Sequence, residues 1–288
     1  MTNKGTYQQV ESAAVERLKT DGQTESRRDV QLLLMAASGL TKSSLIARSA
    51  EFCPDAVIAE FEAMIERRLA GEPVYRIIGQ REFHGLVLQL NSATLEPRDD
   101  TECLIELVLD RIEDRSQPMR FLDLGTGTGA IALALLSELP LATAWASDIS
   151  QQALEMAGNN AALNGLENRI KLNCSNWFEQ IEGRFDFIVS NPPYIETATV
   201  DRLAIEVLDH DPRRALDGGE TGLDAYTAIL NSAAGYLKVD GFLALEIGAN
   251  QRRDVADLAQ ATGWMVLHHG QDLAGRDRAM VLAPCRQA

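Results

Sequence analysis

The chain has little of what marks several common classes of protein. Its four cysteines lie far apart with no Cys-x-x-Cys spacing, which argues against a zinc ribbon or a disulfide framework. Positive charge is scarce: 27 Lys and Arg face 42 Asp and Glu, for a formal net charge of −15. Because DNA binding needs clustered Lys and Arg to neutralise phosphates, we expect no direct binding to nucleic acid.

Long apolar runs are also missing. The most apolar stretch, 130–146, is interrupted by Ser137, Glu138 and Pro140, so we expect no membrane span. The polar residues 1–11 lack the apolar core of a signal peptide, and a cytoplasmic protein is therefore expected. The hydrophobic share of 45% is sufficient for a normal core, and 288 residues suit two domains.

The hydrophobic pattern divides the chain into three parts. Residues 1–75 show helical spacing with a break at Asp21-Gly22, an N-cap at Thr41 and a last helix that stops at Gly71, which predicts a small helical bundle. Short apolar alternation from Val74 to Leu95 predicts one or two strands, in a hairpin-like connector at 76–97. Residues 98–288 form the third part. Residues 1–97 carry 11 basic and 13 acidic side chains, and the remainder carries 16 and 29.

Strands and helices alternate in the third part, which predicts an α/β fold with a doubly wound, mostly parallel sheet. In such a fold ligands bind beyond the carboxyl ends of the strands. The predicted strands are 120–124, 143–148, 169–174, 185–190, 242–247, 264–269 and 278–283, and the predicted helices are 129–139, 151–164, 224–237 and 250–262.

A glycine-rich loop, Asp123-Leu-Gly-Thr-Gly-Thr-Gly129, joins the first of these strands to a helix. Glycines at a strand-to-helix turn let the backbone approach a ligand closely. With Ala130 the loop also matches the dinucleotide fingerprint, and Asp148 follows about 20 residues on, so a nicotinamide dehydrogenase is an alternative. The Asp123 carboxylate, however, would repel a pyrophosphate, and it suits an ammonium group. Asp148 closes the second strand, where a carboxylate can accept both hydroxyls of a ribose or belong to a helix N-cap.

A second motif, Asn191-Pro192-Pro193-Tyr194, follows directly on the buried strand 185–190. Two prolines fix the local φ angles and remove two backbone donors. The side-chain oxygen of Asn191 and the carbonyl oxygen of Pro192 can together accept both N–H bonds of a planar NH2 group. The motif therefore indicates chemistry at a nitrogen, against the alternative of a simple strand-terminating turn.

With both motifs, the chain resembles class I methyltransferases that use S-adenosylmethionine, and within them the HemK/PrmC family, the release-factor glutamine N5-methyltransferases. The resemblance covers nearly the whole length. Three differences stand out: Glu96 and Asp99 replace an apolar residue and a proline, and His84 replaces an aromatic residue. The matching stretches are 71–74, 81–83, 97–98, 101–102, 121–129, 176–178, 190–195, 220–224 and 272–278.

The resemblance implies a Rossmann-like fold with seven strands, an N-terminal substrate-recognition domain and conversion of S-adenosyl-L-methionine to S-adenosyl-L-homocysteine. The implied substrate is the glutamine of the Gly-Gly-Gln loop in peptide-chain release factors, and a monomer without a metal is expected. Asn191, Pro192 and Tyr194 are the implied catalytic residues, and with Pro193 they bind the carboxamide. The implied cofactor residues are Asp123, Gly125, Thr126, Gly127, Thr128, Gly129, Asp148, Trp177 and Asn191.

Other functions stay open at this point. A related glutamine methyltransferase for a ribosomal protein shares both motifs, although the ending Asp272-Leu-Ala-Gly-Arg-Asp-Arg278 favours the release-factor branch. A nucleic-acid adenine N6-methyltransferase should bring a basic face, which the charge balance does not offer. A non-catalytic binding module is the remaining alternative. For Trp177, stacking on adenine and packing in the core are equally compatible with the spacing.

Overall fold

The computed structural model describes residues 5–20 and 26–285. The chain forms two compact units, Met1–Gly79 and Gln80–Ala288. The predicted three-part division at residues 75 and 97 stays a prediction. None of the helices in the described ranges is both long and apolar enough to cross a membrane.

The first unit is built of helices around one apolar core that includes Leu18, Leu33 and Phe61. The predicted N-cap at Thr41 is confirmed, because its hydroxyl accepts from the Ser44 amide at 3.2 Å. The predicted break at Asp21-Gly22 lies outside the described residues. The helices are α1 (Tyr7–Thr20), α2 (Ser26–Ser38), α3 (Lys42–Ala47), α4 (Asp55–Leu69) and α5 (Val74–Ile78).

The prediction of strand-like alternation was wrong at its start, because Val74–Ile78 is helical. Pro73 precedes the first turn, and Gly79, with a φ of 79°, takes the left-handed conformation that ends a helix. A short hairpin follows, made of β1 (Gln80–Phe83) and β2 (Leu86–Gln89). It belongs to the second unit, where the Asn160 side chain donates to the Gln89 carbonyl and accepts from its amide.

The second unit is organised by a seven-stranded sheet of order β5-β4-β3-β6-β7-β9-β8. All neighbours pair in parallel except β9, which is antiparallel to both β7 and β8. The chain order reverses between β3 and β6, which is the switch point where such sheets bind ligands. The strands are β3 (Arg120–Leu124), β4 (Thr143–Asp148), β5 (Ile170–Cys174), β6 (Phe185–Ser190), β7 (Leu237–Glu246), β8 (Trp264–Gln271) and β9 (Asp277–Pro284).

Helices cover both faces of this sheet, as expected for a doubly wound fold. One face packs in a core with Phe121 and Phe187, and the other in a core with Leu122 and Ile188. Successive side chains of a strand point to opposite faces, so each strand contributes to both cores. The helices are α6 (Glu102–Asp110), α7 (Ala130–Glu138), α8 (Gln151–Leu163), α9 (Thr197–Val200), α10 (Ile205–His210), α11 (Asp224–Ala233) and α12 (Arg252–Ala261).

Candidate active site

An open cavity lies at the carboxyl ends of β3, β4 and β6, within the second unit. Its walls come from the glycine loop, the ends of β4 and β5, the turn after β6 and the segment before α6. No group of three or more metal-ligating side chains occurs in the described part of the chain. The lining residues are 93–98, 101, 125–128, 130–131, 147–149, 175–177, 191, 193 and 214–215.

Backbone hydrogen bonds fix the glycine loop to the neighbouring strand β4. The amides of Gly125 and Thr126 both donate to the Ser147 carbonyl, at 2.8 and 2.9 Å, which ties the loop to the end of β4. Gly127 has a φ of 55°, and no atom beyond its chain neighbours lies within 4 Å of where a Cβ would stand. Gly129 instead faces α8, where a Cβ would lie 3.3 Å from the Ala157 Cβ. Gly127 thus leaves space toward the cavity, and Gly129 allows the loop to pack closely on α8.

The Asp148 carboxylate connects the glycine loop with the start of α8. Its Oδ2 accepts from the Gly127 amide and its Oδ1 accepts from the Ser150 amide, both at 2.9 Å. The N-cap of α8 is Ser150, whose hydroxyl accepts from the Ala153 amide. Asp148 therefore is not the cap, and its partly exposed carboxylate lines the cavity with one further lone pair on each oxygen.

Asp123 lies beneath the loop instead of facing the cavity. The side chain is fully buried and is absent from the cavity lining, because its position in β3 directs it into the core below α7. Its Oδ2 accepts from the Thr126 hydroxyl at 2.6 Å, and its Oδ1 has no hydrogen bond of ordinary geometry among the described residues. Burial raises the pKa of Asp123 to about 7, and the nearby Asp148 charge adds to that increase. Direct contact of this carboxylate with a ligand remains a prediction.

Trp177 lies between the cavity and the core, and its stacking on adenine stays a prediction. Its ring lines the cavity and also packs against the apolar core that contains Leu122 and Phe178. The residue has a φ of 48°, a conformation that is uncommon outside glycine. The Ser175 hydroxyl donates to its carbonyl at 2.9 Å and supports the turn. The residue is partly exposed and lies at the edge of the cavity.

The Asn191-Pro-Pro-Tyr turn follows β6 and is only partly exposed to the cavity. Asn191 and Pro193 line it, whereas Pro192 is buried and Tyr194 packs behind. The Asn191 amide nitrogen donates to the Thr101 hydroxyl oxygen at 3.4 Å. That contact leaves the amide oxygen of Asn191 available as an acceptor.

Behind the turn, Tyr194 contacts a buried carboxylate. Its hydroxyl donates to Oε1 of Glu246 at 3.3 Å. Burial and the Glu246 charge hold the pKa of Tyr194 well above its ordinary value, so the phenol stays protonated. The Tyr226 hydroxyl donates to the Glu246 main-chain carbonyl at 3.0 Å. The phenol of Tyr194 therefore supports the turn from the core side and does not reach the cavity.

The segment 216–222 braces the same turn from outside. The Ile195 amide donates to the Leu216 carbonyl at 2.9 Å, and the Gly218 amide donates to the Ile195 carbonyl at 2.8 Å. A Cβ on Gly218 would lie 2.8 Å from the Pro193 carbonyl oxygen, so only glycine fits there. The Gln251 side chain also donates to the Tyr194 carbonyl at 2.9 Å.

Several residues of the site were not predicted individually as site residues. Thr101 lines the cavity and accepts from the Asn191 amide, and Arg214 lines the cavity with its guanidinium 2.9 Å from the Ser150 hydroxyl. Arg278 is only 12% exposed at its side chain and pairs with Asp100, so it is not an ordinary surface charge. These residues lie far apart in the sequence, so no spacing pattern marked them as site residues. Thr101 and Arg278 nevertheless fall in stretches that carried the family resemblance.

The unusual residues before α6 have a structural explanation. Arg81 in β1 pairs with Glu96 at 2.7 Å and with Asp99 as well, so the two acids fix the cavity-lining segment 93–98 to the hairpin. His84 occupies the tight turn of that hairpin with a φ of 48°, and its Nε2 lies 3.5 Å from Glu138.

This combination of sheet order, glycine loop and Asn-Pro-Pro-Tyr turn defines a methyltransferase. Residues 100–223 match the methyltransferase small domain, and residues 9–79 match the PrmC N-terminal domain. A solved methyltransferase from Pyrococcus furiosus has the same fold, with a TM-score of 0.52 and 18% identity over 78% of this chain and 97% of its own.

Two relatives show to which methyltransferase family the chain belongs. A release factor glutamine methyltransferase from Agrobacterium fabrum is 46% identical over 93% of this chain and 94% of its own length. One from Bradyrhizobium diazoefficiens is 42% identical over 96% and 95%. The chain belongs to the release factor glutamine methyltransferase family, HemK/PrmC.

Proposed function

We propose that this protein transfers a methyl group from S-adenosyl-L-methionine to the side-chain amide nitrogen of the glutamine in the Gly-Gly-Gln loop of peptide-chain release factors. The observation that carries the proposal is the position of Asn191. Asn191 lines the same cavity as the glycine loop, and its side-chain nitrogen donates to the Thr101 hydroxyl. The names of the relatives support the choice of glutamine and of release factors.

The cavity residues fit S-adenosylmethionine. Gly125 and Gly127 present backbone without side chains, and Asp148 keeps free lone pairs for the ribose hydroxyls. Trp177 offers an aromatic face for the adenine, and Thr126 and Thr128 complete the loop. Gly129 and Asp123 support the loop on the side away from the cavity. Gly129 packs the loop on α8, and Asp123 accepts from the Thr126 hydroxyl. When bound, the cofactor supplies an electrophilic methyl group.

The residues of the turn orient the substrate. An amide nitrogen is a poor nucleophile because its lone pair is delocalised into the carbonyl group. The Asn191 oxygen and the Pro192 carbonyl accept the two N–H bonds of the glutamine carboxamide, which draws the nitrogen toward a pyramidal form. Pro193 and Tyr194 hold the turn in shape. Such positioning is worth several kcal/mol, up to roughly 7–11 in the best intramolecular reactions, and no histidine is needed.

Release factors are the proposed partners, the protein is proposed to act in the cytoplasm as a monomer, and the helical unit at the N-terminus is proposed to recognise the substrate. A few residues at the Gly-Gly-Gln loop give little contact area, so specificity has to come from surfaces beyond the cavity. The alternative substrates, a ribosomal protein glutamine and a nucleic-acid adenine, share the requirement for a planar NH2 group.

The test is transfer of label from S-adenosylmethionine to purified proteins. A wild-type release factor should accept label, and one with Gln→Ala in the Gly-Gly-Gln loop should not. Label that persists after loss of that glutamine would refute the substrate. A ribosomal protein and an adenine-containing oligonucleotide, tested in parallel, separate the alternatives.

A further inference from the structure

A short segment after α10, residues 211–218, is fixed at both of its ends to other walls of the cavity. At its start, Oδ1 of Asp211 accepts from the Glu96 amide at 3.5 Å, and Oδ2 lies 3.5 Å from Nη2 of Arg98. Glu96 and Arg98 belong to the cavity lining before α6. The start of the segment is therefore held to that wall.

The end of the segment is held to the turn that carries Asn191. The Ile195 amide donates to the Leu216 carbonyl at 2.9 Å, and the Gly218 amide donates to the Ile195 carbonyl at 2.8 Å. With both ends fixed, the middle of the segment lies at the cavity, where Arg214 forms part of the lining.

From this position, Arg214 reaches the residues that follow β4. Its guanidinium Nη2 donates to the Ser150 hydroxyl at 2.9 Å. Ser150 is itself well fixed, because its amide donates to the Asp148 carboxylate and its hydroxyl accepts from the Ala153 amide as the N-cap of α8. Arg214 is exposed, whereas Ser150 is buried and does not line the cavity. Their contact therefore lies at the rim.

The order of the strands shows what this contact crosses. In the sheet, β3 lies between β4 and β6. Neighbouring strands are about 4.8 Å apart, which separates β4 from β6 by roughly 10 Å. The hydrogen bond joins a segment fixed to the turn after β6 with a residue just after β4. It therefore bridges the carboxyl end of β3, from which the glycine loop begins.

The neighbouring arginine has a different direction. Arg213 pairs with Asp201 at 2.6 Å and with Asp217 at 3.3 Å, and it does not line the cavity. Residues Arg213–Ala215 form a turn of 3₁₀ helix, in which successive side chains point about 120° apart. The local backbone thus turns one arginine outward and directs the next to the rim.

We propose that Arg214 is the gate for cofactor exchange, and that its hydrogen bond to Ser150 closes the cavity over the glycine loop. S-adenosylmethionine enters and S-adenosylhomocysteine leaves when this bond is open. The inference rests on the cofactor named in the proposed function and does not depend on the substrate. A partly exposed hydrogen bond suits a gate, because water replaces the serine as acceptor when the arginine swings away.

A gate has a kinetic signature that a direct ligand contact lacks. Because the bond to Ser150 forms without a ligand, closure slows entry and exit by the same factor and leaves Kd unchanged. A side chain that binds the ligand directly would instead slow only its exit and would lower Kd. The two rate constants therefore distinguish the roles.

The experiment measures cofactor exchange in full-length Arg214→Met without a release factor, so that no methyl transfer occurs. Stopped-flow tryptophan fluorescence follows binding of S-adenosylhomocysteine, since Trp177 lines the cavity, and displacement by excess unlabelled ligand gives the exit of labelled ligand. We expect both rate constants to rise by about 5–10-fold, the worth of one partly exposed hydrogen bond, with Kd within about twofold of wild type. Unchanged rates, or faster exit with weaker binding and unchanged entry, would overturn the inference.

Two variants control for charge and for side-chain chemistry. Arg213→Met makes the same substitution one residue away, at a side chain that does not line the cavity, and should exchange ligand like wild type. Arg214→Lys keeps a donor and should lie closer to wild type than Arg214→Met does. If Arg213→Met accelerates exchange as much as Arg214→Met, or Arg214→Lys equals Arg214→Met, the gate is refuted.

The partner residue provides a further test. In a Ser150→Ala background the bond is already lost, so Arg214→Met should have no additional effect on either rate. Loss of the α8 N-cap is common to the single and the double variant and cancels in this comparison. An acceleration as large as in the wild-type background would show that Arg214 acts without Ser150, against the proposal.

The two ligands separate closure from electrostatic repulsion. S-adenosylmethionine carries one more positive charge than S-adenosylhomocysteine, at its sulfonium. A gate changes the exchange of both ligands by the same factor, and an effect on S-adenosylmethionine alone would overturn it. Wild-type enzyme that binds neither ligand would refute the proposed function and the inference with it. Normal binding by wild type with unchanged exchange in Arg214→Met would refute only the gate.

Discussion

The Asp148 carboxylate should control cofactor affinity, and its two backbone contacts set the expected effect. Both oxygens accept from amides, Gly127 on one side and Ser150 on the other, each at 2.9 Å. In Asp148→Asn the new NH2 group must point at one of these donors. That mismatch lowers stability, and relieving it turns the NH2 group toward the cavity, where the ribose hydroxyls lose a carboxylate acceptor. A lost hydrogen bond to the ligand costs about 1–3 kcal/mol, so a loss of about 2 kcal/mol predicts roughly 30-fold weaker binding of S-adenosylhomocysteine.

Calorimetric titration of S-adenosylhomocysteine measures this effect directly. Asp186→Asn is a suitable control, since Asp186 also accepts from a backbone amide, that of Arg120 at 2.7 Å, but lies in β6 outside the cavity lining. The control should lose stability without loss of affinity. If Asp148→Asn binds the ligand within about twofold of wild type, the carboxylate does not organise the site as described.

Three more predictions concern Asn191, Asp123 and Arg81. Asn191→Ala should nearly abolish methyl transfer while binding of S-adenosylhomocysteine persists; substantial turnover in this variant would refute positioning by the turn. The pKa of Asp123 is raised from 3.8 to about 7 by burial, so the folded state holds that proton more tightly than the unfolded chain, and thermal stability should fall as the pH rises from about 4 to 7. That fall, followed by calorimetry, should be smaller in Asp123→Asn, and an unchanged slope would contradict the assignment. Arg81→Ala removes the cation that fixes Glu96 and Asp99, which should lower the free energy of unfolding by about 1–3 kcal/mol and weaken cofactor binding; urea titration with no change in midpoint would contradict it.

The strands that carry the site were predictable because each is an apolar run that ends in a recognisable motif. The predicted bounds of β3, β4 and β6 agree with the structure. The first half of β7 was missed, since Lys238, Val239 and Asp240 are exposed and Asp240 has a φ of 65°, so no apolar pattern marks it. Helix α6 was also missed, although Leu104, Ile105, Val108 and Leu109 have helical spacing.

The site was only partly predictable for a different reason. The glycine loop and the Asn-Pro-Pro-Tyr turn each consist of neighbouring residues, so each can be recognised from its spacing in the sequence. Thr101 lies 90 positions before Asn191, and only the parallel pairing of the sheet and the placement of α6 bring the two together. The burial of Asp123 was equally hidden, because the sequence does not say which face of β3 its side chain occupies.

The central claim concerns the atom that receives the methyl group. Tandem mass spectrometry of the Gly-Gly-Gln peptide, taken from a release factor incubated with the enzyme and S-adenosylmethionine, locates that atom most directly. The account predicts one added methyl group on the glutamine side-chain nitrogen, and none when Asn191→Ala replaces the wild-type enzyme. A methyl group on any other residue, or an unmodified glutamine with active wild-type enzyme, would contradict it.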